Sequence, residues 1–589
     1  MNLKTALEYH LAGRLSEAEE LYQEILGTEP NNPDALYFLG VLARQQGKQD
    51  LAADFILRAI SVSPSNPMYP TVLGNIFKDS GRFDEAAGYY RQGLAINPGY
   101  MEALFNLGNV LQQQYRLAEA IDCYSRVLKI NPRYAEAHND LGVALMAQFR
   151  WDEAVASFNQ ALQYKPGYAE AFNNLGVAFK NTGRMEESEA CYRQALALKP
   201  DYAQALLNLG TIYFIKKDFS RAMTWYQASL AVDPNQVEAH QNIALILFDT
   251  GRLDEAQRHR DLAYRRQSIF INAAPNPVRT VLVLWAAGRG NVPVDHLLPA
   301  KTNTRITWMM EYATDEQIKT LPPYDLVFNA IGDQDAAGPT LEPVARFLHT
   351  CRKPVLNRPE AVANTTRDLI PCLLASIPNV LVPHTVRIDT RYFRNQLLAT
   401  PGVRLPVLAR PSGSHGGAFM VKVESEEELR NLALLDSEIY YATNYHNYCS
   451  ADGYYRKYRI IFVDRCPYPY HLAIGKHWMV HYETADMIDH IWKRDEEVMF
   501  LEDPRRAIGP AAMDAVEAIG RKLDLDYCGV DFSILPDGRV LVFEANATML
   551  VHPEDEAGIL AFKNSFVRRI FDAFDALMTN LHKKAISLS

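Results

Sequence analysis

The sequence predicts a multidomain protein in which an all-α repeat array is followed by an α/β domain and then by an α+β domain. Three observations lead to this prediction. A period of 34 residues runs through the first 270 positions, short apolar runs alternate with helix-like stretches from residue 281, and a strand–turn–strand pattern lies near the C-terminus. A chain of 589 residues is also too long for one hydrophobic core.

Composition excludes several classes of function. Apolar residues make up 48%, charged residues 22%, and the formal net charge is -10, which is typical of a folded globular protein without a broad nucleic-acid surface. No apolar run is long enough to span a membrane, and the N-terminal segment carries acidic residues where a signal peptide would be basic, so we expect a cytoplasmic protein without a membrane partner. The seven cysteines are scattered without a CxxC pair, so we expect reduced thiols.

Four columns of residues define the repeat, and each recurs with the same step of 34 positions. Proline closes the repeats at Pro30, Pro64, Pro98, Pro132, Pro166, Pro200 and Pro234. Glycine recurs at Gly40, Gly74, Gly108, Gly142, Gly176 and Gly210, and an aromatic residue at Tyr90, Tyr124, Phe158, Tyr192 and Tyr226. A fourth column of small residues runs from Ala18 to Ala256. Small residues let paired helices approach, aromatic side chains fill the adjacent space, and proline stops the second helix.

This pattern resembles the tetratricopeptide repeat, with eight repeats over residues 1–270. The resemblance implies helix pairs that stack into a superhelix with a concave groove. Such arrays bind peptides or proteins, and we expect a partner of this kind here.

A further column of polar side chains stands two positions before the glycine column or its equivalent. It comprises Asn106, Asp140, Asn174, Asn208 and Asn242. In tetratricopeptide arrays similar to this one, an asparagine ladder at this place lines the groove and binds the backbone of an extended peptide, since a carboxamide offers both a donor and an acceptor. The alternative is that these side chains only bond neighbouring helices.

Helical periodicity ends near residue 270, and the prolines and asparagines of residues 271–280 predict a linker. An α/β domain is predicted over residues 281–366, because apolar runs of strand type at 281–285 and 325–332 precede a helix-like stretch at 341–350. The sequence Gly-Arg-Gly at 288–290 suggests a dinucleotide-binding turn, but the third glycine of that motif is absent, so a tight turn is the simpler interpretation.

Near the C-terminus, Asp537-Gly538 is a strong signal for a two-residue turn between two strands. This turn places Asp531 directly opposite Glu544, and strand alternation puts Asn546 on the same face. Like charges directly opposite one another are destabilising, so something must offset them. Two carboxylates and an amide oxygen suit Mg²⁺, which also takes phosphate oxygens.

The same alternation predicts that Phe532 and Phe543 pack together on the opposite face of this hairpin. Two alternatives to a metal site stay open. The carboxylates could lie on a solvated face beside lysine or arginine, or a three-residue turn could shift the register.

A flexible loop is predicted between two strands in the segment 412–417. Its small residues are Ser412, Gly413, Ser414, Gly416 and Gly417. Such residues let successive backbone N–H groups cradle phosphate oxygens. The loop is not a Walker motif, since the ending GK[ST] is absent and a strand follows in place of a helix. An ordinary solvent turn is the alternative.

Taken in order, five segments resemble an ATP-grasp fold. They are residues 355–370, 408–417, 454–464, 529–532 and 543–549. The resemblance implies an α+β ATP-grasp domain at 367–580, an α/β pre-ATP-grasp domain at 281–366, and ATP and Mg²⁺ as cofactors. It assigns the metal to Asp531, Glu544 and Asn546, a catalytic role to Arg459 in the segment after the hinge, a lid over the phosphates to residues 412–417, and adenine contacts to a hinge at 442–445 that includes Thr443 and Asn444.

Two positions depart from the ATP-grasp pattern. Arg410 stands where the family usually has lysine on the strand before the glycine loop, and Asp368-Leu369 stands where Asp-Lys is usual. Arginine keeps the positive charge and a bidentate grip on phosphate, although the two residues are not equivalent. Arg367 could supply the cation that Leu369 does not.

The resemblance implies a ligase that joins a carboxylate to an amine through an acyl phosphate, acting on the peptide or protein that the repeats bind, with a small amine or amino acid as a possible co-substrate. Candidates for substrate contact are Arg494, Arg505, Arg506 and His552. The alternatives are an interaction scaffold whose ATP-grasp domain has lost turnover, an ATP-grasp kinase, and, with the least support, a redox enzyme resting on the Gly-Arg-Gly fragment.

Overall fold

The computed structural model of this protein describes residues 3–288, 290–413, 419–435 and 437–587. Contacts divide the chain into two units, Met1–Ala263 and Tyr264–Ser589. Among the described residues, none of the helices combines the length and the apolar character that a membrane crossing needs.

The first unit is all-helical, and its described residues form sixteen helices. They are α1 (Leu3–Leu11), α2 (Leu15–Thr28), α3 (Pro33–Gln45), α4 (Gln49–Val62), α5 (Met68–Asp79), α6 (Phe83–Ile96), α7 (Met101–Gln113), α8 (Leu117–Ile130), α9 (Ala135–Ala147), α10 (Trp151–Tyr164), α11 (Ala169–Asn181), α12 (Met185–Leu198), α13 (Ala203–Ile215), α14 (Phe219–Val232), α15 (Val237–Asp249) and α16 (Leu253–Tyr264). From α1 to α14, each odd-numbered helix packs on the helix that follows it, which gives seven pairs. Helix α16 contacts α15 through His259 and His240 and through Arg260 and Phe248.

The glycine and aromatic columns meet inside these pairs. A Cβ atom added at Gly108 would lie 2.7 Å from the ring of Tyr124, and one added at Gly176 would lie 2.6 Å from the ring of Tyr192. Both rings are fully buried. The close helix approach that the repeat pattern predicts is therefore present, and glycine is required there by space.

Gly108→Ala should lower the free energy of unfolding of the first unit by about 1–3 kcal/mol, because the added methyl group overpacks the site beside Tyr124. Gly88 is a matched control, since it also lies inside a helix but has nothing within 4 Å of an added Cβ atom. Gly88→Ala should stabilise by about 0.5–1 kcal/mol through helix propensity alone. Urea unfolding measures both, and equal effects of the two changes would contradict the packing argument.

The odd-numbered helices also contact one another along the array. Helix α5 contacts α7, α7 contacts α9, α9 contacts α11, and α11 contacts α13. Neighbouring elements approach most closely on the inner side of a superhelix, so these helices form its concave layer. The polar column lies on them, as the sequence predicts.

The second unit contains the strands and the remaining helices. Its strands are β1 (Ile269–Asn272), β2 (Arg279–Trp285), β3 (Asn303–Met309), β4 (Leu326–Asn329), β5 (Val355–Leu356), β6 (Val380–Leu381), β7 (Thr385–Asp389), β8 (Val407–Pro411), β9 (Val421–Val423), β10 (Ile439–Asn444), β11 (Tyr455–Val463), β12 (Cys466–Gly475), β13 (Tyr527–Ile534) and β14 (Val540–Asn546). Its helices are α17 (Asp315–Thr320), α18 (Gln334–Ala337), α19 (Leu341–Thr350), α20 (Pro359–Ala363), α21 (Ile370–Leu374), α22 (Phe393–Gln396), α23 (Glu426–Asn431), α24 (Ile491–Glu502), α25 (Pro504–Ile508), α26 (Pro510–Leu523) and α27 (Asn564–Ser587). Short 3₁₀ turns lie at Met310–Tyr312, Gly338–Thr340, Leu397–Ala399, Tyr482–Thr484 and Ala561–Lys563.

The first sheet has the strand order β1-β3-β2-β4-β5. Strands β2 to β5 are parallel, as expected for an α/β layer, and β1 runs antiparallel along the edge beside β3. Residues 269–272 were expected to belong to the end of the array and the start of the linker, and this boundary needs correction. The helices end at Tyr264, and the apolar run Ile-Phe-Ile pairs with β3.

Two further sheets complete the second unit. One has the order β7-β10-β8-β9 and is antiparallel throughout, and the other has the order β12-β11-β13-β14-β6. In the latter, β13 and β14 form the predicted hairpin with Asp531 opposite Glu544. The C-terminal helix α27 joins this sheet to the first one, since Phe574 packs against both Phe328 and Tyr527.

The predicted hairpin register changes at one position. Beyond the pair Asp531 and Glu544, Phe532 pairs with Val542, so that Phe543 is an extra residue in β14. The expectation that Phe532 and Phe543 share a face is therefore wrong. Phe532 is fully buried, whereas Phe543 is 36% exposed. A bulge breaks the alternation that the prediction assumed.

Candidate functional site

A cavity of about 1310 Å³ lies in the second unit between the antiparallel β7-β10-β8-β9 sheet and the sheet that carries the hairpin. Pockets for small molecules usually measure about 300–1,000 Å³, so this one has room for more than one ligand group. Its lining includes side chains of β8, β10, β11, β13 and β14. The cavity is thus built by the segments in which the sequence places its candidate residues.

The first sheet also reaches the cavity, at the carboxyl ends of two adjacent parallel strands. Asn291 lies beyond β2, and Gly332 and Asp333 lie beyond β4. Open α/β sheets commonly bind ligands at such a place. A Cβ atom at Gly332 would lie 2.7 Å from the side chain of Thr548, so glycine allows this loop to touch the turn after β14.

One end of the cavity is aromatic. The ring of Tyr448 packs against Phe543 with centroids 4.8 Å apart, and Tyr445 packs against Trp478 with centroids 5.8 Å apart. All four side chains line the cavity. Flat apolar surfaces of this kind suit a planar ring such as a nucleobase.

The two predicted hinge residues lie beside this aromatic end. Thr443 lines the cavity, and its hydroxyl lies 3.0 Å from that of Thr385. Asn444 also lines it, but its amide donates to the carbonyl of Gly402 at 2.8 Å and its oxygen accepts from the N–H of Arg404 at 3.0 Å. The side chain of Asn444 therefore fixes a loop, and only Thr443 keeps a side chain suited to a ligand contact.

The cavity lining also carries the acidic pair. Asp531 is 3% exposed and accepts from the guanidinium of Arg459 through both oxygens, at 2.5 and 2.8 Å. Lys457 adds a third contact at 3.2 Å. Burial raises the pKa of Asp531, but the charges of Arg459 and Lys457 outweigh it and hold the pKa well below its usual range. Asp531 is thus an ionised, buried carboxylate.

Glu544 has a different basic partner. Arg367 donates to it at 2.7 Å. Arg410 lies beside them, almost fully buried, and burial followed by the charge of Arg367 lowers its pKa to about 10. The carboxylates of Glu544, Asp333 and Asp335 lie near both guanidinium groups, so charges of both signs meet here. Leu369 replaces a lysine that is usual in the family, and Arg367 supplies a positive charge to the cavity two positions earlier in the chain.

Asn546 lines the cavity next to the acidic pair. Its oxygen accepts from the backbone N–H of Thr548 at 3.0 Å and from the Thr548 hydroxyl at 3.1 Å, which forms a tight turn. Within the described residues, no group of three or more histidine, cysteine, aspartate or glutamate side chains could hold a metal ion. The side chains of Asp531, Glu544 and Asn546 offer only oxygen, the ligand type that Mg²⁺ prefers. In this structure both carboxylates are paired with cations and the Asn546 oxygen accepts two hydrogen bonds, so Mg²⁺ binding stays a prediction.

The predicted glycine loop connects β8 and β9, which pair as a hairpin. Ser412 begins the loop, where its N–H donates to the carbonyl of Ile439 at 2.9 Å. Gly413 has φ +66, a conformation that favours glycine. Ser414, Gly416 and Gly417 lie outside the described residues, and their predicted contact with phosphates stays a prediction.

The arginines expected to bind substrate need correction. Arg494 donates to the carbonyls of Met487 and Ile488 and does not line the cavity, because a helix places it against a preceding loop. Arg505 pairs with Asp514 at 2.7 Å on the surface. No sequence pattern indicates these partners.

His552 does line the cavity, where it is exposed. Its backbone N–H donates to the hydroxyl of Tyr470 at 3.3 Å. Its side chain remains available to a ligand apart from a contact of 3.2 Å between Nδ1 and the carbonyl of Pro553.

Sequence reasoning missed Lys457 and a buried network beside it. Lys457 shares a strand face with Arg459, and alternation alone could have shown this. The network is centred on Glu497, which accepts from the hydroxyl of Tyr482 at 2.8 Å and lies 3.9 Å from Lys563. Lys563 in turn donates to Glu554 at 2.8 Å. Burial raises the pKa of Glu497 to about 7. No sequence signal pairs these residues.

In the first unit, the polar column bonds neighbouring helices. Asn106 donates to Asn75 at 3.1 Å, Asn174 donates to Asn139 at 3.1 Å, and Asn208 donates to Asn173 at 2.9 Å. Asp140 accepts from Asn139 at 3.1 Å. Asn242 makes no side-chain hydrogen bond to any residue that the structure describes. The alternative role is therefore present, and peptide binding by the same column stays a prediction.

Asp140→Asn tests the electrostatics of this column. Burial, and then the charges of Glu170 and Glu136, raise the pKa of Asp140 to about 6, above its ordinary value of 3.8. The native state thus holds this proton more tightly than the unfolded chain, and the stability that the group contributes falls as pH rises through about 4 to 6. The variant should be more stable than the parent by about 1–2 kcal/mol at pH 7.5. Thermal unfolding should show no gain at pH 4, and an equal gain at both pH values would contradict the argument.

Comparison with known proteins identifies the repeats. Residues 66–274 match the model of the cilia and flagella-associated protein 70 C-terminal domain, and residues 3–67 match a tetratricopeptide repeat model. A search of curated proteins gives no match for this chain. Neither family model reaches beyond residue 274, so the second unit has no such assignment.

Several solved structures are similar to part of the chain. MamA is 22% identical with a TM-score of 0.26, covering 28% of this chain and 97% of that chain. YrrB, described as a TPR protein with an unusual peptide-binding site, is 19% identical with a TM-score of 0.28, covering 32% and 96%. Pseudomonas aeruginosa PilF is 19% identical with a TM-score of 0.31, covering 34% and 91%.

The helix pairs, the glycine and aromatic columns, and the match to the repeat model agree with one another. Arrays of this type are protein-interaction scaffolds whose repeats contact only their neighbours. The first unit is a tetratricopeptide superhelix, and the sheets of the second unit follow it as a separate unit.

Proposed function

We propose that this protein is a tetratricopeptide scaffold whose second unit is an ATP-grasp-type, Mg²⁺-dependent ligase that joins a carboxylate to an amine on a bound peptide or protein. The repeats supply the partner, and the cavity of the second unit supplies the chemistry.

A single observation supports the ligase most strongly. Asp531 and Glu544 lie opposite one another on neighbouring strands and face one cavity, whose aromatic end is formed in part by Phe543. A nucleotide presents the same order of groups, with a planar base at one end and a metal-bound triphosphate at the other. The cations Arg367, Arg410 and Arg459 suit the phosphates.

Each carboxylate is now held by a basic side chain, so binding of Mg²⁺ and ATP requires an exchange of partners. Arg459 and Arg367 would turn from Asp531 and Glu544 to phosphate oxygens, and the carboxylates with Asn546 would hold the metal. Mg²⁺ held at this place would neutralise the negative charge that builds up on the phosphate oxygens during phosphoryl transfer. Every charge keeps an opposite partner through this exchange, which limits its cost.

The proposed reaction has two steps. A substrate carboxylate oxygen attacks the γ-phosphorus of ATP and ADP leaves, which forms an acyl phosphate. An amine then attacks the acyl carbon, phosphate leaves, and the amine loses a proton. Arg459 would orient the carboxylate and stabilise the transferred phosphoryl group. The segment 412–417 would cover the site and exclude water, which would otherwise hydrolyse the acyl phosphate.

The experiment is incubation of the full chain with ATP, Mg²⁺, pooled amino acids and candidate peptides, followed by mass spectrometry and an ADP assay. Loss of one water from a peptide together with ADP would indicate an internal link, and gain of an amino-acid residue would indicate ligation. A stable phosphoester would indicate a kinase and would contradict the ligase. Asp531→Asn is the control for ADP that arises from a contaminant.

A second candidate function is a scaffold that binds nucleotide without turnover. The ion pairs of Asp531 with Arg459 and Lys457 favour it, since they occupy the carboxylate that the metal needs. Isothermal titration calorimetry separates the two functions. ATP binding that is independent of Mg²⁺, with no ADP formed for any peptide tested, would support the scaffold and contradict the ligase.

A further inference from the structure

His471 is a buried cavity residue with no hydrogen-bond partner. It lies on β12 directly opposite Arg459 on β11, and it is only 7% exposed. Neither ring nitrogen bonds to any residue that the structure describes, and Nε2 is completely enclosed. A buried nitrogen without a hydrogen-bond partner destabilises the native state. Buried polar groups without a partner are rare in native structures, and each needs an explanation such as a bound ligand or a functional role.

The ring of His471 cannot simply turn to find a partner. It stacks on Tyr482 with centroids 5.0 Å apart and an angle of 24°. Tyr482 is fixed in turn, because its hydroxyl donates to Glu497 and Lys563 lies 3.9 Å above its ring. The imidazole is thus held in one orientation by the buried network, with its hydrogen bonds unmade.

The surroundings of His471 carry an excess of positive charge. Lys457 and Arg459 share the single carboxylate of Asp531, which leaves a net charge of about +1 at this part of the wall. Lys563 offsets Glu554, and Glu497, whose pKa burial raises to about 7, lies 3.9 Å from the same ammonium group. An anion placed here would meet two cations and a neutral donor, since a neutral imidazole always has one N–H group.

We propose that the part of the cavity beside His471 is a subsite for a carboxylate group of the second substrate, bound by the Nδ1–H of His471 beside Lys457 and Arg459, since the enclosed Nε2 cannot reach a ligand. This inference rests on the proposed ligase function and specifies which residues recognise its second substrate. The size of the cavity allows this group and a nucleotide to bind together. His471 determines specificity here and transfers no proton in this proposal.

The test uses the full chain saturated with Mg²⁺ and the non-hydrolysable ATP analogue AMPPNP, titrated with succinate in a calorimeter at constant ionic strength. Succinamide is the neutral probe of the same shape. We expect succinate to bind and succinamide not to bind. His471→Phe keeps the stacked ring and removes both nitrogens, so it should weaken succinate binding about ten-fold or more. Lys457→Met should have a similar effect.

Two readouts separate recognition from a structural role. His471→Phe should unfold at the same temperature as the parent or at a higher one, because the change removes an unpaired polar group from the interior. His477→Phe is the control, since His477 is exposed and does not line the cavity, and it should leave succinate binding unchanged. A lower unfolding temperature with unchanged binding would show that His471 is only structural and would overturn the inference.

Other outcomes are equally decisive. No binding of succinate to the parent, or equal binding to His471→Phe, overturns the proposed subsite. If succinate displaces AMPPNP, or if inorganic phosphate binds with the same dependence on His471 while succinate does not, the anion at this place is a nucleotide phosphate and the inference fails. If AMPPNP does not bind but succinate binding still depends on His471, the subsite stands and the proposed ligase function fails.

Discussion

Asp531→Asn is expected to destabilise the second unit by about 3–5 kcal/mol and to abolish any Mg²⁺-dependent ADP formation. Asp531 is 3% exposed and is the shared partner of Arg459 and Lys457. Removing one member of a buried ion pair leaves the other charge uncompensated, and this costs far more than the pair itself contributes. The amide keeps the shape of the side chain, so the effect isolates the charge.

A double-mutant cycle gives the strictest form of this prediction. Arg459→Met combined with Asp531→Asn should cost less than the sum of the two single changes, since the double variant contains one unpaired cation fewer. Asp537→Asn is the matched control on the same hairpin, and the loss of its exposed ion pair with Arg539 should leave the stability almost unchanged. Hydrogen exchange of the β13 backbone amides measures the stability of the two single variants, the double variant and the control. If the effects of the two single changes simply add in the double variant, the argument is contradicted.

Lys563→Met should destabilise the second unit by a comparable amount, because it removes a buried positive charge where Asp531→Asn removes a buried negative one. Lys563 is 1% exposed, donates to Glu554, and lies 3.9 Å from the fully buried Glu497. Its loss leaves two carboxylates in the interior without a cation, which we expect to cost about 3–5 kcal/mol at pH 8. Lys583→Met is the control, since Lys583 lies on the adjoining helix and is exposed.

The effect of Lys563→Met should depend on pH. Burial raises the pKa of Glu497 to about 7 in the parent. Because this native pKa lies above the ordinary value of 4.5, the group favours the native state when protonated, and its contribution falls as pH rises through about 4.5 to 7. The deficit of the variant should therefore shrink at pH 5. Urea unfolding at pH 5 and pH 8 measures this, and an equal deficit at both would contradict it.

The sequence was most informative where structure depends on short-range or periodic patterns. The 34-residue step identified the helix pairs because each repeat meets the same packing requirement, and Gly108 against Tyr124 shows that requirement directly. Asp531 does pair with Glu544, but the turn alone does not produce this pair. Ile534 pairs with Val540, one position away from the register of a two-residue turn, and the extra residue at Phe543 restores the pair.

The remaining features depend on partners that are distant along the chain. Arg367 and Glu544 are 177 positions apart, and no local pattern relates them. Arg494 was expected to meet substrate, but the loop before its helix takes its hydrogen bonds. The polar column shows the same limit, because Asn106 meets Asn75 only through the stacking of helices. Charge alone does not tell a ligand contact from an internal bond.

The bulge in β14 has a consequence for recognition. In a regular strand, consecutive side chains point to opposite faces, so a carboxylate and its neighbour cannot serve the same ligand. The extra residue at Phe543 removes this restriction and lets two adjacent side chains address the two ends of one molecule. Deletion of Phe543 would leave Asp531 opposite Glu544 and remove one aromatic side chain from the cavity wall. If the proposed function holds, this change should weaken contact with the base and leave the carboxylate pair in place.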